Sequence, residues 1–305
     1  MKLCRFDDHR LGVVEGEEVV DVTEVLAQLP AQRYPLPRHD LLIAHLPELR
    51  GAIAQAARQG ARKPVSQVHW LPPVANPGKI IGAPINYAAH ASESATDANI
   101  GHGRTITSIG DWGLFLKAGS SLIGVSDEVR LRFPQRRNDH EVELAVVIGK
   151  TCRQVKAADA MAHVAAYSLS LDMTLRGPEF QCFRKSIDTY AVLGPWLVTA
   201  DEVPDPQALT MIARVNGQEW SRGTSADMQH SFAAIISHAS DSETFYAGEV
   251  IGSGTVGGGC GNELGRFLKH GDVMELEVSG LGVLSNNIVA PHVLQVPTMP
   301  IHILD

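Results

Sequence analysis

Three carboxylates lie where two apolar segments begin or end, and together they could bind a metal ion. Glu141 and Glu143 stand at the start of the β-branched segment 142–148, and Asp172 directly follows the apolar segment 167–171. Side chains alternate along a strand, so the two glutamates share one face, about 6.6 Å apart. Carboxylates this close repel each other unless a positive charge lies between them. The pattern predicts a divalent-cation site, and all-oxygen donors suit Mg²⁺, Mn²⁺ or Ca²⁺ better than zinc.

A second interpretation of the same glutamates needs no metal. Two glutamates on an edge strand are commonly solvated and paired with nearby arginines, at little gain or loss of stability. Arg136, Arg137 and Arg176 are the candidate partners. From the residues alone, both interpretations stay open.

His90 and Glu93 are candidates for acid–base chemistry. Residues three apart share a helix face, so the carboxylate of Glu93 could orient the imidazole of His90 and raise its basicity. A neutral histidine held in this way takes a proton from water near pH 7. The chain has 13 histidines, most of which must be surface or core residues. A structural role for His90 therefore also stays open.

The glycine-rich stretch 252–261 contains the spacing Gly-x-Gly-x-x-Gly, which also occurs in dinucleotide-binding folds. No clear helix opens from it and no βαβ unit follows, so an NAD-dependent dehydrogenase is disfavoured. We expect a glycine-rich loop whose backbone approaches a ligand carboxylate, with the Thr255 hydroxyl as a donor. A simple turn is the alternative.

The chain that positions these residues is interrupted by a proline-rich segment just before residue 78. Short strands are expected over residues 2–6, 12–15 and 18–22, and a helix over 38–61. The segment 62–77 holds four prolines, which interrupt regular structure. We therefore predict a small N-terminal α+β domain, residues 1–75, and a catalytic domain, residues 76–305.

The second region reads as mainly β with peripheral helices. Its residues 84–113 show a short helical pattern around 87–94 and then no sustained periodicity, which predicts a mobile segment over an active site. Asn216-Gly217 predicts a tight hairpin. A helix is expected over residues 225–239, with Thr224 or Ser225 as its N-cap.

Composition excludes several classes of protein. The 305 residues are 44% hydrophobic and 20% charged, which argues against a disordered chain. The net charge of −8 disfavours nucleic-acid and anionic-membrane partners. No apolar run approaches the roughly 18 residues that span a bilayer, and no export signal is recognisable. Four widely spaced cysteines, without a Cys-x-x-Cys pair, predict a reducing, cytoplasmic setting.

Taken in order, the motifs of this chain resemble those of the fumarylacetoacetate hydrolase superfamily. The segments that carry the resemblance are Lys-Ile-Ile-Gly at 79–82, Asn-Tyr-Ala-Ala-His at 86–90, Phe-Leu-Lys at 115–117, Asp-His-Glu-Val-Glu-Leu-Ala-Val-Val-Ile-Gly-Lys at 139–150, Leu-Asp-Met-Thr-Leu-Arg at 171–176, Lys-Ser-Ile-Asp-Thr-Tyr at 185–190, and the hairpin at 272–282. The resemblance covers roughly residues 76–290. Residues 10–13 and 20–22 also resemble the small N-terminal domain of many members.

The resemblance implies a fold and a set of reacting groups. The fold is a mixed, mainly β sandwich roll with peripheral helices. The three carboxylates of Glu141, Glu143 and Asp172 would hold Mg²⁺ or Mn²⁺. His90, oriented by Glu93, would be the base, carried on a lid that orders over the substrate.

The remaining candidates would face the substrate. Lys185 would lie near the oxyanion, where its ammonium stabilises negative charge. Arg176 matches a position that contacts substrate or supports the carboxylates. Many members have a glutamine where this chain has Glu179, and Gln181 could substitute for it. Two further substrate-binding candidates are Lys117 and Thr255.

The activity implied by the resemblance is the metal-dependent hydrolysis of a C–C bond in a β-diketo acid, such as an acylpyruvate or fumarylpyruvate from aromatic catabolism. His90 would activate water, and the enolate left after cleavage would be held by the metal and Lys185. Decarboxylation or isomerisation of a 2-oxo or 2-hydroxydienoate diacid on the same site is the alternative. A non-catalytic binding protein is disfavoured, because every reacting group is present. The family commonly forms homodimers, and we expect one here.

Overall fold

Strands dominate the computed structural model, which describes residues 1–90 and 109–290. The strands are β1 Lys2–Phe6, β2 Arg10–Glu15, β3 Glu18–Asp21, β4 Arg62–Pro64, β5 Trp70–Leu71, β6 Ile80–Gly82, β7 Phe115–Lys117, β8 Leu122–Ile123, β9 Val129–Arg130, β10 Asn138–Asp139, β11 Glu141–Ile148, β12 Val164–Asp172, β13 Thr174–Leu175, β14 Ala191–Thr199, β15 Thr210–Val215, β16 Gln218–Thr224, β17 Val250–Cys260, β18 Val273–Val278 and β19 Gly282–Val289. The mixed, mainly β prediction is confirmed.

Helices are short and lie around these strands. They are α1 Leu41–Ala44, α2 Leu46–Ala56, α3 Ile109–Trp112, α4 Ala157–Ala160, α5 Gln181–Lys185, α6 Phe232–Ser242 and α7 Gly261–Leu264. Residues 88–90 are also helical. Within the described ranges, no helix combines the length and apolar character needed to cross a membrane.

A large sheet carries the residues singled out by their chemistry. Its main path runs β4-β3-β2-β1-β14-β12-β11-β17-β6-β7 among the described residues, with antiparallel pairing except between β17 and β6. The register sets Glu143 opposite Ser170 on β12 and opposite Thr255 on β17. The start of β11, the end of β12 and the middle of β17 therefore meet at one place.

A second sheet packs against the first and has the order β16-β15-β18-β19-β9. The turn between β15 and β16 is the expected Asn216-Gly217, with φ of 53° and 75°. Two positive φ angles match the primed turn that suits a two-residue hairpin. Met211, Met274 and Leu276 on this sheet are fully buried and join one core with residues of β11 and β12.

Strand β11 is covered on both faces, which explains its continuous apolar run. Val142, Leu144 and Val146 belong to the core shared with the second sheet, whereas Ala145 and Val147 belong to a core closed by α2. The N-terminal strands extend the same large sheet, because Leu3 of β1 pairs with Leu197 of β14. The division into domains 1–75 and 76–305 stays a prediction.

The structure differs from two local expectations. The expected glycine-rich loop is the buried strand β17, whose glycines leave room for neighbouring side chains rather than for a turn. The helix expected over 225–239 begins at Phe232, capped by the Ser231 hydroxyl. The side chain of Thr224 does accept a backbone hydrogen bond, from Ala226, but it caps a separate 3₁₀ turn at Ser225–Asp227.

Candidate active site

Glu141, Glu143 and Asp172 form a buried carboxylate cluster. Each contributes an oxygen atom, and the three oxygens lie within 4.8 Å of one another. The cluster arises from the pairing of β11 with β12, in which Val142 lies opposite Leu171 and so brings the end of β12 to the start of β11. Oxygen ligands about 2.1 Å from one Mg²⁺ lie up to roughly 4.2 Å apart. Small side-chain adjustments would therefore suffice for a shared cation.

Two lysines lie against the carboxylate cluster. The Lys185 ammonium donates hydrogen bonds to Glu141 Oε2 at 2.7 Å, Asp172 Oδ2 at 2.6 Å and Thr174 Oγ1 at 2.8 Å. Burial alone would lower the pKa of Lys185, but Asp172 and Glu141 outweigh it and raise that pKa. Lys117 donates to Asp172 and to the carbonyl of Met173. The two lysines differ, because burial outweighs Asp172 at Lys117 and lowers the pKa of that ammonium.

Arg176 joins the cluster from the loop after β13. Its Nε donates to Asp139 Oδ2 and its Nη2 to Glu141 Oε1, both at 2.7 Å. Burial would raise the pKa of Glu141, but Lys185 and Arg176 outweigh it and hold that pKa below its ordinary value. The alternative interpretation of the sequence, in which the glutamates pair with nearby arginines, therefore holds for Glu141 and Arg176. The pair is buried, not solvated on an edge strand.

Glu143 has an excess of negative surroundings. Among the residues that the structure describes, no lysine, arginine or histidine makes an ion pair with it. Burial, followed by the carboxylates of Asp172 and Glu141, raises its pKa well above the ordinary value. A divalent cation would relieve this repulsion and find only oxygen donors, as Mg²⁺ and Mn²⁺ prefer. The residues present therefore fit such a metal, and metal binding by these three carboxylates stays a prediction.

His90 is buried and is held by a residue that its sequence spacing does not predict. Its Nδ1 contacts the carboxylate of Glu263, at the start of α7. Helix α7 is itself fixed by Asp139, whose carboxylate accepts the amides of Gly261 at 2.6 Å and Asn262 at 3.1 Å. Glu93, the predicted partner of His90, lies outside the described residues. No local spacing points to Glu263, which follows His90 by 173 positions.

Thr255 lies on β17 directly opposite Glu143. None of the described residues hydrogen-bonds its buried hydroxyl, which is a polar group left for a ligand or water. The glycine-rich sequence predicts Thr255 on a loop, whereas the structure places it within a strand. Its predicted role as a donor stays a prediction on this different backbone.

One cavity brings five of the ten candidates together. The predicted residues that line it are His90, Glu141, Arg176, Lys185 and Thr255. Gln181 and Arg184 of α5 and the ring of Phe115 line it as well. Glu179 is not part of this lining, since both its oxygens accept from Arg136 at 2.8 Å. Gln181, the weighed substitute for Glu179, is thus the residue of the two that faces the cavity.

Comparison with known proteins agrees with this arrangement. Residues 79–289 match the family described as fumarylacetoacetate (FAA) hydrolase C-terminal. The maleylpyruvate hydrolase of Aquipseudomonas alcaligenes is 46% identical over 287 residues, which cover 93% of this chain and 98% of that protein. The mitochondrial oxaloacetate tautomerase FAHD2A of Homo sapiens is 37% identical over 233 residues, 74% of this chain and 71% of that protein.

A solved structure resembles the whole fold. It is the maleylpyruvate hydrolase from Sphingobium sp. SYK-6 in complex with manganese(II) ion and pyruvate, with a TM-score of 0.80 and 37% identity. The match covers 95% of this chain and 99% of that one. Likeness of this extent includes the N-terminal strands as well as the sheets that carry the site.

Proposed function

The chain belongs to the fumarylacetoacetate hydrolase family, and on this premise we propose that it is a divalent-metal-dependent hydrolase that cleaves a C–C bond in an acylpyruvate-type β-diketo acid. One observation carries the proposal: Glu141 of the carboxylate cluster, Lys185 and His90 line a single cavity, and His90 is held there by Glu263. A relative that is 46% identical is a maleylpyruvate hydrolase, which supports a substrate with a pyruvate end.

Glu141, Glu143 and Asp172 would hold Mg²⁺ or Mn²⁺. A cation bound there supplies Lewis-acid polarisation of a carbonyl and neutralises negative charge on the pyruvate end of the substrate. A resembling structure that contains manganese(II) and pyruvate supports this choice of metal.

The proton chemistry falls to His90. In the tautomer that donates from Nδ1 to Glu263, Nε2 carries no proton and would take one from water. The resulting hydroxide adds to the acyl carbonyl carbon, and the C–C bond to the pyruvate unit then breaks with its electron pair on that unit. The Lys185 ammonium lies where it stabilises the enolate oxygen. His90 returns its proton to the enolate carbon, so that a carboxylic acid and pyruvate leave.

The second candidate is an isomerase or tautomerase that moves a proton without cleaving a bond. The 37% identity to an oxaloacetate tautomerase favours it. It would use the same carboxylate cluster and Lys185. It needs no activated water, so His90 separates the two candidates.

The test is a metal add-back assay in which cleavage fragments are identified by mass and isomerised products by NMR. Metal-stripped protein receives Mn²⁺ or Mg²⁺ and then maleylpyruvate, acetylpyruvate or oxaloacetate. We expect two organic fragments, a loss of at least about 100-fold in His90→Ala because general base catalysis is removed, and no metal-dependent activity in Glu143→Ala. His238→Ala, at an exposed position of α6, is the matched control and should match the wild type. An isomerised product with full activity in His90→Ala would establish the tautomerase instead.

The expected homodimer also stays a proposal. Size-exclusion chromatography with light scattering tests it, and a mass of one chain, 32.9 kDa, would contradict it.

A further inference from the structure

Arg184 is a buried guanidinium without a carboxylate of its own. It lies near the end of α5 and is 2% exposed. Its Nη1 donates to the carbonyl of Gly177 at 3.2 Å, while its buried Nε finds no hydrogen-bond partner among the described residues. Over the described ranges, no carboxylate makes an ion pair with it. One bond to a neutral carbonyl leaves most of the five N–H donors of this group unused.

The other cations of the site differ in this respect. Arg176 is bound by Asp139 and Glu141, Lys185 by Glu141 and Asp172, and Lys117 by Asp172. Their charges are therefore neutralised within the protein. Arg184 lines the same cavity, with its charge still uncompensated.

A buried, uncompensated cation is costly, and a protein keeps one where a ligand supplies the opposite charge. Burial, followed by the nearby Arg176, lowers the pKa of Arg184. The planar fork of a guanidinium matches a carboxylate through two parallel hydrogen bonds. The ligand group that fits this position is thus a carboxylate.

We propose that Arg184 binds the distal carboxylate of a dicarboxylic substrate, so that the enzyme prefers diacids to monoacids. The inference rests on the proposed function, in which the pyruvate end lies at the carboxylate cluster. The cation bound by the cluster would neutralise the negative charge of that end. A second carboxylate, at the acyl end, needs a separate cation, and Arg184 is a cavity residue that makes no ion pair with any described carboxylate.

The test compares maleylpyruvate with acetylpyruvate, which lacks the distal carboxylate. Arg184→Met removes the charge at similar size, and Arg184→Lys keeps the charge without the fork. We expect Arg184→Met to lower kcat/KM for maleylpyruvate about 100-fold, as expected for truncating one side of a buried ion pair. For acetylpyruvate the change should stay within about threefold, and Arg184→Lys should fall between. Arg222→Met removes an exposed arginine paired with Glu219 and should change neither substrate.

The Tm of the free enzyme distinguishes a ligand-binding role of Arg184 from a structural one. Removing an uncompensated buried charge leaves Tm of Arg184→Met unchanged or higher. A lower Tm together with equal losses on both substrates would mean that Arg184 only supports the loop at Gly177, and the inference would be overturned. Wild-type enzyme without a diacid preference would overturn it too, while leaving the proposed function intact.

Ligand binding decides the matter even if neither substrate is cleaved, an outcome that would refute the proposed function. Maleate carries two carboxylates and crotonate one. Stabilisation of the wild type by maleate, absent with crotonate and absent in Arg184→Met, supports the carboxylate site at Arg184. Equal stabilisation of wild type and variant by maleate contradicts it.

Discussion

Charged residues are arranged in opposite ways in the N-terminal sheet and in the cavity. In the first 75 residues, Arg10 with Asp21 and Lys63 with Asp7 form ion pairs that are partly or largely exposed. In the cavity, the carboxylate cluster and its lysines are nearly all buried and share partners. Exposed pairs contribute at most about 1 kcal/mol each, and one can be lost without affecting the next. Buried charges that share partners constrain one another, and their imbalance is what points to a bound cation and anion.

The largest effect is expected at Gly252, whose backbone lies against Glu143 of the carboxylate cluster. A Cβ at Gly252 would come within 2.0 Å of Glu143 Oε2. Gly252→Ala should therefore displace this carboxylate and weaken Mn²⁺ binding by about 100-fold, the upper range for disturbing a metal ligand's support. Isothermal titration calorimetry with Mn²⁺ measures this. Wild-type affinity in Gly252→Ala would mean that Glu143 is not a ligand.

Gly51 is the control in the N-terminal region. It is exposed in α2, and a Cβ there meets nothing within 4 Å. Gly51→Ala should stabilise the protein by about 0.5–1 kcal/mol, because alanine favours the helix. Mn²⁺ affinity and activity should stay at the wild-type level. Replacing glycine by alanine should therefore weaken Mn²⁺ binding in the cavity but leave it unchanged in the N-terminal region.

A smaller effect on activity is expected at Glu263. Glu263→Gln keeps the shape of the contact to His90 but removes its charge, so kcat should fall about 10–100-fold, in the range of lost support for a reacting group. KM and Mn²⁺ affinity should not change, because Glu263 is not part of the carboxylate cluster. Steady-state kinetics gives this separation, with Glu219→Gln as the exposed control. A changed KM with unchanged kcat would argue that Glu263 does not position the base.

The smallest effect is expected at Asp21. Burial would raise its pKa, but Thr23 and Arg10 outweigh it and lower that pKa. The stabilisation is thus complete above the unfolded-state pKa of about 3.9 and disappears as pH falls through the lower folded-state pKa. Asp21→Asn should cost about 1 kcal/mol or less at pH 7 and nothing in activity.

Urea unfolding at pH 7 and pH 2.5 measures the difference in free energy of unfolding between wild type and Asp21→Asn. The gap between wild type and Asp21→Asn should narrow at the lower pH, where the aspartate approaches its neutral form. A gap that widens on acidification would show that the pair does not stabilise the fold through the charge of Asp21.

Sequence reasoning succeeded where chemistry follows local spacing. The alternation of β11 sets Glu141 and Glu143 on one face, and the apolar segment before Asp172 ends where that residue joins them. It could not find Glu263, because only the path of β17 into α7 brings this residue to His90. The burial of Arg184 in the cavity could not be predicted either, since an arginine beside Lys185 in sequence looks the same whether solvated or buried.

Two local errors have a common physical cause. Thr224 does cap a turn, but a short 3₁₀ turn interposes before the helix that Ser231 begins. Glycines in β17 were read as a loop because their usual role is conformational freedom. Here Gly252 and Gly257 lie so close to neighbouring side chains that a Cβ would clash with them. In both cases tertiary contacts decided between local structures that the residues permit equally.

The pairing of β1 with β14 also sets an order of events during synthesis. Lys2 and Leu3 find their partners, Val198 and Leu197, about 190 residues later in the chain. At roughly 5–20 residues per second, that edge of β1 waits about 10–40 s on the ribosome. Strand β5 covers only Arg5 and Phe6 in the meantime. Lys2 places a charge on this strand edge, and charged side chains disfavour pairing between open strand edges.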